Sequence, residues 1–418
     1  MGEHKEITIS AGTRSIKGTV LLTGSKSESN RALIMQALSA GKVKVENLSQ
    51  AADTVTLDGI LRSELSSDPE GLNSTIDVGP AGTAMRFMTA YASLQDGDFL
   101  LTGSERMQQR PIGVLVDALR DLGADICYTN KEGFPPLKIS GPLKQKASRI
   151  SIKGDISSQY ISALLLIAAK LPLGLELEIE GDLTSTPYVE MTLALLEQAG
   201  IKHNWDENTI RIEAQDFRPS VISVEPDWSA ASYWYAIAAL SDHAEIFLPG
   251  LNGYSLQGDS RITEIMANFG ITSQFRDGGV YLEKEAKPLL RKIFDFKDCP
   301  DLAQTVIVCC AALGHDATFT GLETLKIKET DRILALQTEL KKIGVDLTEK
   351  NRICKLDCSG LFFPEKISIS TYEDHRMAMA FAPLALKIKQ VEIEDPGVVG
   401  KSYPSFWDDL ASIGFSIS

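Results

Sequence analysis

Five segments of this 418-residue chain put Lys or Arg close to the start of a predicted helix. Lys26 and Arg31 follow Gly24, ahead of a helix over Ala32–Leu38. Arg86 follows Gly79-Pro80-Ala81-Gly82 and opens a helix through Tyr91. Arg106 and Arg110 precede a helix over Val114–Leu122. Lys328 and Arg332 open a helix over Ile333–Ile343, and Arg376 opens one over Met377–Ala385. The first turn of a helix carries partial positive charge, so a cation there costs about 0.3–1 kcal/mol. One such placement is an ordinary solvated charge, but its repetition along one chain points to function. Free N–H groups at helix starts, joined by Lys and Arg, bind anions. Glycines such as Gly24, Gly79 and Gly82 let the backbone approach a ligand closely. With a net charge of −14, the chain is a poor match for generic nucleic-acid or anionic-membrane binding and suits a concentrated basic pocket for a small anion. No segment has the spacing of a Walker A or Rossmann fingerprint, so ATP and NAD are not indicated.

Carboxylates accompany these cations, which anion binding alone does not require. Glu329 and Asp331 flank Lys328 and Arg332, and Asp374 adjoins His375 and Arg376. Asp301 precedes an apolar helix over Leu302–Leu313, where it is either an N-cap or a functional acid. Acids among cations are candidates for general acid/base work. There is no G-x-S-x-G elbow and no Cys–His pair for a nucleophilic mechanism. The five histidines are scattered and the six cysteines form no C-x-x-C, so a zinc site is not suggested. Reduced core thiols in a cytoplasmic protein are expected instead. The longest apolar runs, Tyr160–Ala169 and Thr305–Gly314, span about ten residues where a membrane helix needs about 20. The first residues, Met1-Gly-Glu-His, do not read as a secretory signal.

The elements that must position these residues repeat along the chain. An amphipathic helix ends in glycine and leads into a β-type segment at Gly123, Gly200, Gly270, Gly344 and Gly414, a spacing of roughly 70–77 residues. Glycine there fits the left-handed position after a helix. Upstream, a strand reaches a glycine, crosses a short polar stretch and enters a helix, as at Val20–Gly24, Leu177–Gly181 and Phe319–Gly321. Alternating strands and helices mark an α/β chain. Five copies, with a degenerate sixth near Leu57–Leu65, suit two domains of three units.

Taken together, the motifs resemble the 5-enolpyruvylshikimate-3-phosphate synthase family. They are Thr23-Gly-Ser-Lys26-Ser27-Glu-Ser-Asn-Arg31, Gly82-Thr-Ala-Met-Arg86, Arg110-Pro-Ile-Gly113, Ser157-Ser158-Gln159, Lys328-Glu329-Thr-Asp-Arg332 and Asp374-His375-Arg376. The likeness runs in order from about residue 8 to Lys401. It implies transfer of the enolpyruvyl group of phosphoenolpyruvate to the 5-hydroxyl of shikimate 3-phosphate, with release of phosphate, on the route to chorismate and the aromatic amino acids. It also implies no metal and no organic cofactor, and a cytoplasmic monomer acting on small molecules. The implied fold is mixed α/β, an inside-out α/β barrel arrangement of two similar domains, each of three βαβαββ repeats. One domain would take 1–22 and 226–418 and the other 23–225, with the active site in the cleft between them.

The same resemblance assigns the residues. Ser27, Arg31, Ser157, Ser158, Gln159, Ser185, Tyr188, Asp301 and Lys328 match positions that hold shikimate 3-phosphate. Gly82, Arg110, Gln159, Arg332, Arg376 and Lys401 match positions that hold phosphoenolpyruvate. Lys26 matches a contact to both. Asp301 is the implied base for the 5-hydroxyl, Glu329 the proton relay at the methylene carbon, and His375 a supporting polar contact. Three positions depart from the family pattern: Pro80 stands where an asparagine is usual, Phe87 where a proline is usual, and Thr324 where an asparagine is usual. Gly82, rather than alanine, leaves room for the inhibitor glyphosate. The sister family that acts on UDP-N-acetylglucosamine has Lys-Asn in place of Lys26-Ser27 and commonly a cysteine in the loop that is Gly103–Gln109 here, which contains none. A non-catalytic anion-binding repeat scaffold would not need Lys26, Asp301 and Glu329.

Overall fold

The computed structural model describes residues 6–63 and 74–418. The expected sixth repeat near Leu57–Leu65 therefore ends outside the described residues, as does the first stretch of the chain, Met1–Lys5. The chain divides into two compact units, an inserted unit Gly24–Val224 and a flanking unit made of Met1–Thr23 with Glu225–Ser418.

One βαβαββ pattern accounts for most of both units. In the inserted unit it runs strand Ser74–Asp77, helix Gly82–Ala92, strand Gly97–Thr102, helix Gly113–Leu122, then strands Asp125–Tyr128 and Leu137–Gly141. The first two strands pair in parallel across the helix, and the last two form an antiparallel hairpin whose second strand joins the sheet. The next repeat copies this order with strands Arg149–Lys153, Leu175–Glu180, Asn204–Asp206 and Thr209–Ile212 around helices Ser158–Ala168 and Thr186–Gln198. The remaining strands of this unit, Val43–Glu46 and Ser220–Ser223, form a parallel pair beside helix Lys26–Leu38.

The flanking unit holds three four-stranded sheets of the same order. One is continuous, from Ile293–Asp295 to Ile353–Asp357, around helices Ala303–Ala312 and Arg332–Lys341. In another, Ser15–Thr19 pairs in parallel with His243–Pro249, so the repeat is split by the inserted unit. In the third, Glu6–Ala11 fills the place of the last hairpin strand beside Phe415–Ile417.

Composition explains the layering. Helices Ala303–Ala312 and His375–Phe381 are buried at every residue, and Trp228–Leu240 at every residue but the half-buried Ser229. A helix that is apolar all round belongs inside. The strands show the alternation of a sheet with one wet face, as in Arg149–Lys153, where Ile150 and Ile152 alone are buried. Each unit thus keeps helices within and sheets outside.

The five repeat glycines all have positive φ. A Cβ at Gly123 would lie 2.1 Å from the Lys144 carbonyl oxygen, and one at Gly344 2.1 Å from that of Gly360. Returning chain passes directly over the helix end, so these two positions exclude any side chain on sterics as well as on backbone conformation.

Candidate active site

In the inserted unit the site residues sit on the starts of neighbouring helices. Lys26 is the first residue of helix Lys26–Leu38, capped by Ser25, so this helix begins six residues earlier than its apolar pattern suggests. The Lys26 ammonium meets Asp53 at 3.1 Å, on a carboxylate that is 3% exposed. Gly82 opens its helix, and Arg110 packs close against it. Ser157 caps helix Ser158–Ala168 by accepting from the Gln159 N–H, and the Gln159 amide donates to Thr83 at 3.3 Å. Ser185 precedes helix Thr186–Gln198 in the left-handed region, φ 57°. For a serine that is a strained conformation, and such strain collects at functional sites.

Two arginines hold these starts together. Arg31 is buried, its Nε donates to Thr192, and the rest of its fork donates to Ser162 and to the carbonyls of Ser27 and Tyr188. Its Cζ also lies 5.5 Å from the Phe87 ring centre and 5.8 Å from that of Tyr188. Burial pulls its pKa down to about 10, against the charges of Tyr188 and Glu28. Arg86 donates to the Gly82 and Pro111 carbonyls, and Tyr160 Oη donates to the same Pro111 carbonyl at 2.6 Å. Helix starts and the Arg110-Pro-Ile loop are thereby fixed to one another.

In the flanking unit a second set converges on Arg332, which is 1% exposed. Its Nη1 reaches Asp301 at 3.1 Å, its Nη2 reaches Glu329 at 3.0 Å, and its Nε reaches Asp374 at 2.7 Å. Burial alone would lower its pKa, but the charges of Asp374, Glu329 and Asp301 raise it above the usual range. Lys401 meets Glu329 at 2.8 Å, Arg376 meets Asp301 at 2.9 Å, and Lys328 lies 3.8 Å from Asp301. His375 is buried, with Nδ1 3.7 Å from Asp374. Two carboxylates, Asp301 and Glu329, therefore sit on different arms of one guanidinium, with Arg376 and Lys328 also at Asp301 and Lys401 at Glu329. Such a cluster holds anions and places two acid/base groups within reach of them.

The N-cap reading of Asp301 is corrected. Helix Ala303–Ala312 follows a short 3-10 turn over Pro300–Leu302, and its cap position is Leu302, with no side-chain cap. The Asp301 side chain is instead engaged with Lys328, Arg332 and Arg376. Asp374, by contrast, does cap its helix, accepting from the Arg376 N–H at 2.8 Å.

Sequence reasoning missed several supporting residues. Asp53 lies in the first turn of helix Ala52–Arg62 with no motif around it, and only the fold brings it to Lys26. Glu339 is fully buried and accepts from Tyr372 Oη at 2.8 Å and Lys342 at 2.7 Å. It thereby anchors the turn Tyr372–Glu373, where both residues have positive φ, immediately before Asp374. Ser229, Tyr233 and Asp259 surround Arg376 with no motif to announce them. Among the described residues, no group of three or more His, Cys, Asp and Glu side chains is placed to hold a metal ion, and no helix is long and apolar enough to cross a membrane.

Comparison with known proteins decides the family. The model of the EPSP synthase (3-phosphoshikimate 1-carboxyvinyltransferase) family matches residues 10–410. The chain belongs to the EPSP synthase family. The match takes in every helix start described in both units. A 3-phosphoshikimate 1-carboxyvinyltransferase of Bacteroides fragilis is 49% identical over 404 residues, 96% of each chain. One of Shewanella woodyi is 34% identical over 95% of this chain and 97% of its own. In fold, the chain is similar to the EPSP synthase of Acinetobacter baumannii, with a TM-score of 0.76 at 21% identity over 99% of each. It is also similar to the enolpyruvyl transferase NikO of Streptomyces tendae, with a TM-score of 0.74 at 15% identity over 100% and 99%. The EPSP synthase assignment sets aside the scaffold reading and the sugar-nucleotide reading.

Proposed function

We propose that this chain transfers the enolpyruvyl group of phosphoenolpyruvate to the 5-hydroxyl of shikimate 3-phosphate and releases phosphate, in the shikimate route to aromatic amino acids. The observation that carries the mechanism is the sharing of Arg332 by Asp301 and Glu329.

The chemistry needs two proton-moving groups and several cations. Asp301 takes the proton of the attacking hydroxyl as its oxygen bonds to C2 of phosphoenolpyruvate. A proton is delivered to C3, with Glu329 as relay, giving a tetrahedral ketal phosphate. In the second half a C3 proton leaves, the C2–C3 double bond re-forms, and the C2–O bond to phosphate breaks with its electron pair on the phosphate. Cations fixed in advance stabilise charge on phosphate and carboxylate throughout. Arg110, Arg332, Arg376 and Lys401, with Gln159 and the Gly82 backbone, hold phosphoenolpyruvate. Ser27, Ser157, Ser158, Gln159, Ser185, Tyr188, Asp301 and Lys328 hold shikimate 3-phosphate. Lys26 contacts both, and His375 supports the cluster. Arg31 serves by fixing Ser27 and Tyr188, since its donors are turned to them. No step calls for a metal or an organic cofactor.

Phosphate release from phosphoenolpyruvate in chelator-treated buffer tests this reading, with shikimate 3-phosphate and UDP-N-acetylglucosamine compared as acceptors. Release with shikimate 3-phosphate alone supports it; release with the sugar nucleotide alone overturns it. We place the enzyme in the cytoplasm as a monomer. Six unpaired cysteines, five of them buried, suit a reducing compartment, and sedimentation equilibrium checks the monomer.

A further inference from the structure

Asp259 lies in a short 3-10 turn, Gly258–Arg261, with no catalytic motif around it, yet it is 2% exposed. Its Oδ2 accepts from the hydroxyl of Ser229. Its Oδ1 is buried and has no hydrogen-bond partner among the described residues. The carboxylates of Asp301 and Asp227 are close enough to disfavour its charge, with Arg376 acting in the opposite sense. A buried acid with an unsatisfied oxygen and two acidic neighbours is costly, and folding alone supplies no reason to keep it.

Ser229 supplies the reason. It lies in the first turn of helix Trp228–Leu240, and its oxygen is 3.4 Å from Arg376 Nη2. A serine hydroxyl has one proton and two lone pairs. With the proton given to Asp259, the oxygen presents only acceptor density to Arg376. This guanidinium also contacts Tyr233 Oη at 3.4 Å and the Asp301 carbonyl at 3.3 Å, both on Nη1, and the Asp301 carboxylate at 2.9 Å on Nη2. An arriving anion competes with the Asp301 carboxylate for Nη2. Ser229 is then a contact that helps keep this arm in place.

We propose that Asp259 is a positioning residue for Arg376, acting through the hydroxyl of Ser229 to aim the guanidinium at the anion it binds. This rests on the reading of Arg376 as a phosphoenolpyruvate contact.

Steady-state kinetics of the full chain test it. Ser229→Ala and Asp259→Ala each raise KM for phosphoenolpyruvate roughly tenfold, about the effect of one charge-assisted hydrogen bond, and leave kcat and KM for shikimate 3-phosphate within about twofold. Asp259→Asn, whose amide oxygen still accepts from Ser229, recovers most of the loss. The double variant Ser229→Ala/Asp259→Ala is no worse than either single one, since both break one chain of contacts. An unchanged KM for phosphoenolpyruvate in Ser229→Ala overturns the proposal, as do additive effects in the double variant. So does Asp259→Asn as impaired as Asp259→Ala. If Asp259→Ala does not fold, Ser229→Ala decides alone. Arg376→Ala separates the two levels: if it leaves KM for phosphoenolpyruvate unchanged, the reading of the anion site is at fault; if it raises that KM, the Ser229 result judges Asp259.

Discussion

Arg332 and Asp374 meet edge to edge inside the flanking unit, Nε to Oδ2 at 2.7 Å and Nη2 to Oδ1 at 3.4 Å. The same Oδ1 accepts from the Arg376 N–H and caps helix His375–Phe381. One fully buried carboxylate therefore sets the direction of one site arginine and the helix that carries the other. Arg332 in turn reaches Asp301 and Glu329, so the two proposed acid/base groups inherit their placement from Asp374.

Replacing Asp374 by Asn keeps the shape and removes the charge that faces Arg332. Losing one partner of a buried pair leaves the other uncompensated, at a cost of about 3–5 kcal/mol. Part of that cost is offset here by Asp301 and Glu329. Asp374→Asn is expected to lower the urea midpoint and to reduce kcat/KM at least a hundredfold, through kcat as well as KM. A variant with near-native turnover would show that Arg332 is aimed by Asp301 and Glu329 alone.

Gly82→Ala probes the inserted unit. The backbone at Gly82 tolerates a side chain, but a Cβ would come within 2.7 Å of Arg110 Nη1 and 3.1 Å of its Cζ. The end of a long side chain can move, so the fold should be nearly unaffected, while the guanidinium is displaced from its place beside the helix start. KM for phosphoenolpyruvate is expected to rise about tenfold with thermal stability within a few degrees. Glyphosate, expected to inhibit the wild type, should lose potency in the variant. Unaltered KM and inhibition would mean that Arg110 does not serve the anion from this position.

How much of this could be read from the sequence follows from the range of each interaction. The repeat glycines were legible because a left-handed helix end is a local demand, and all five obey it. The cations at helix starts were legible for the same reason, although two helix boundaries were not: Lys26–Leu38 and Gly82–Ala92 start on polar or small residues, ahead of their apolar runs. The choice left open at Asp301, cap or functional acid, goes against the cap because Pro300–Leu302 forms its own turn and Leu302 takes the cap position. The partners that aim the site groups, Asp53 for Lys26 and Asp374 for Arg332, are 27 and 42 residues away in sequence. Nothing near Asp53 marks it, and Asp374 stands out only beside His375 and Arg376, not as the partner of Arg332.

Pro80 stands exposed just before helix Gly82–Ala92, whose cap position, Ala81, offers no side-chain acceptor. Proline has no N–H to offer an anion there. Pro80→Asn restores a backbone donor and adds an amide, and is expected to lower KM for phosphoenolpyruvate severalfold with kcat little changed. An unchanged KM would show that the anion is held without this part of the loop.

Asp259 gives the protein a pH signature. Burial, then the charge of Asp301, push its pKa up to about 7, whereas an unfolded Asp titrates near 3.9. Between about pH 4 and pH 7 the folded chain holds a proton there that the unfolded chain has lost. Stability from this group therefore falls as pH rises through that window and levels off above it. The cost is of the order of a few kcal/mol. Asp259→Asn removes it, so the variant should gain on the wild type steadily from pH 4 to pH 7 and by a constant amount at pH 8 and above. Urea midpoints of both proteins at four or five pH values measure this directly. A difference that does not change with pH would place the Asp259 proton elsewhere and leave only its hydrogen bond to Ser229 to explain why a carboxylate is buried there.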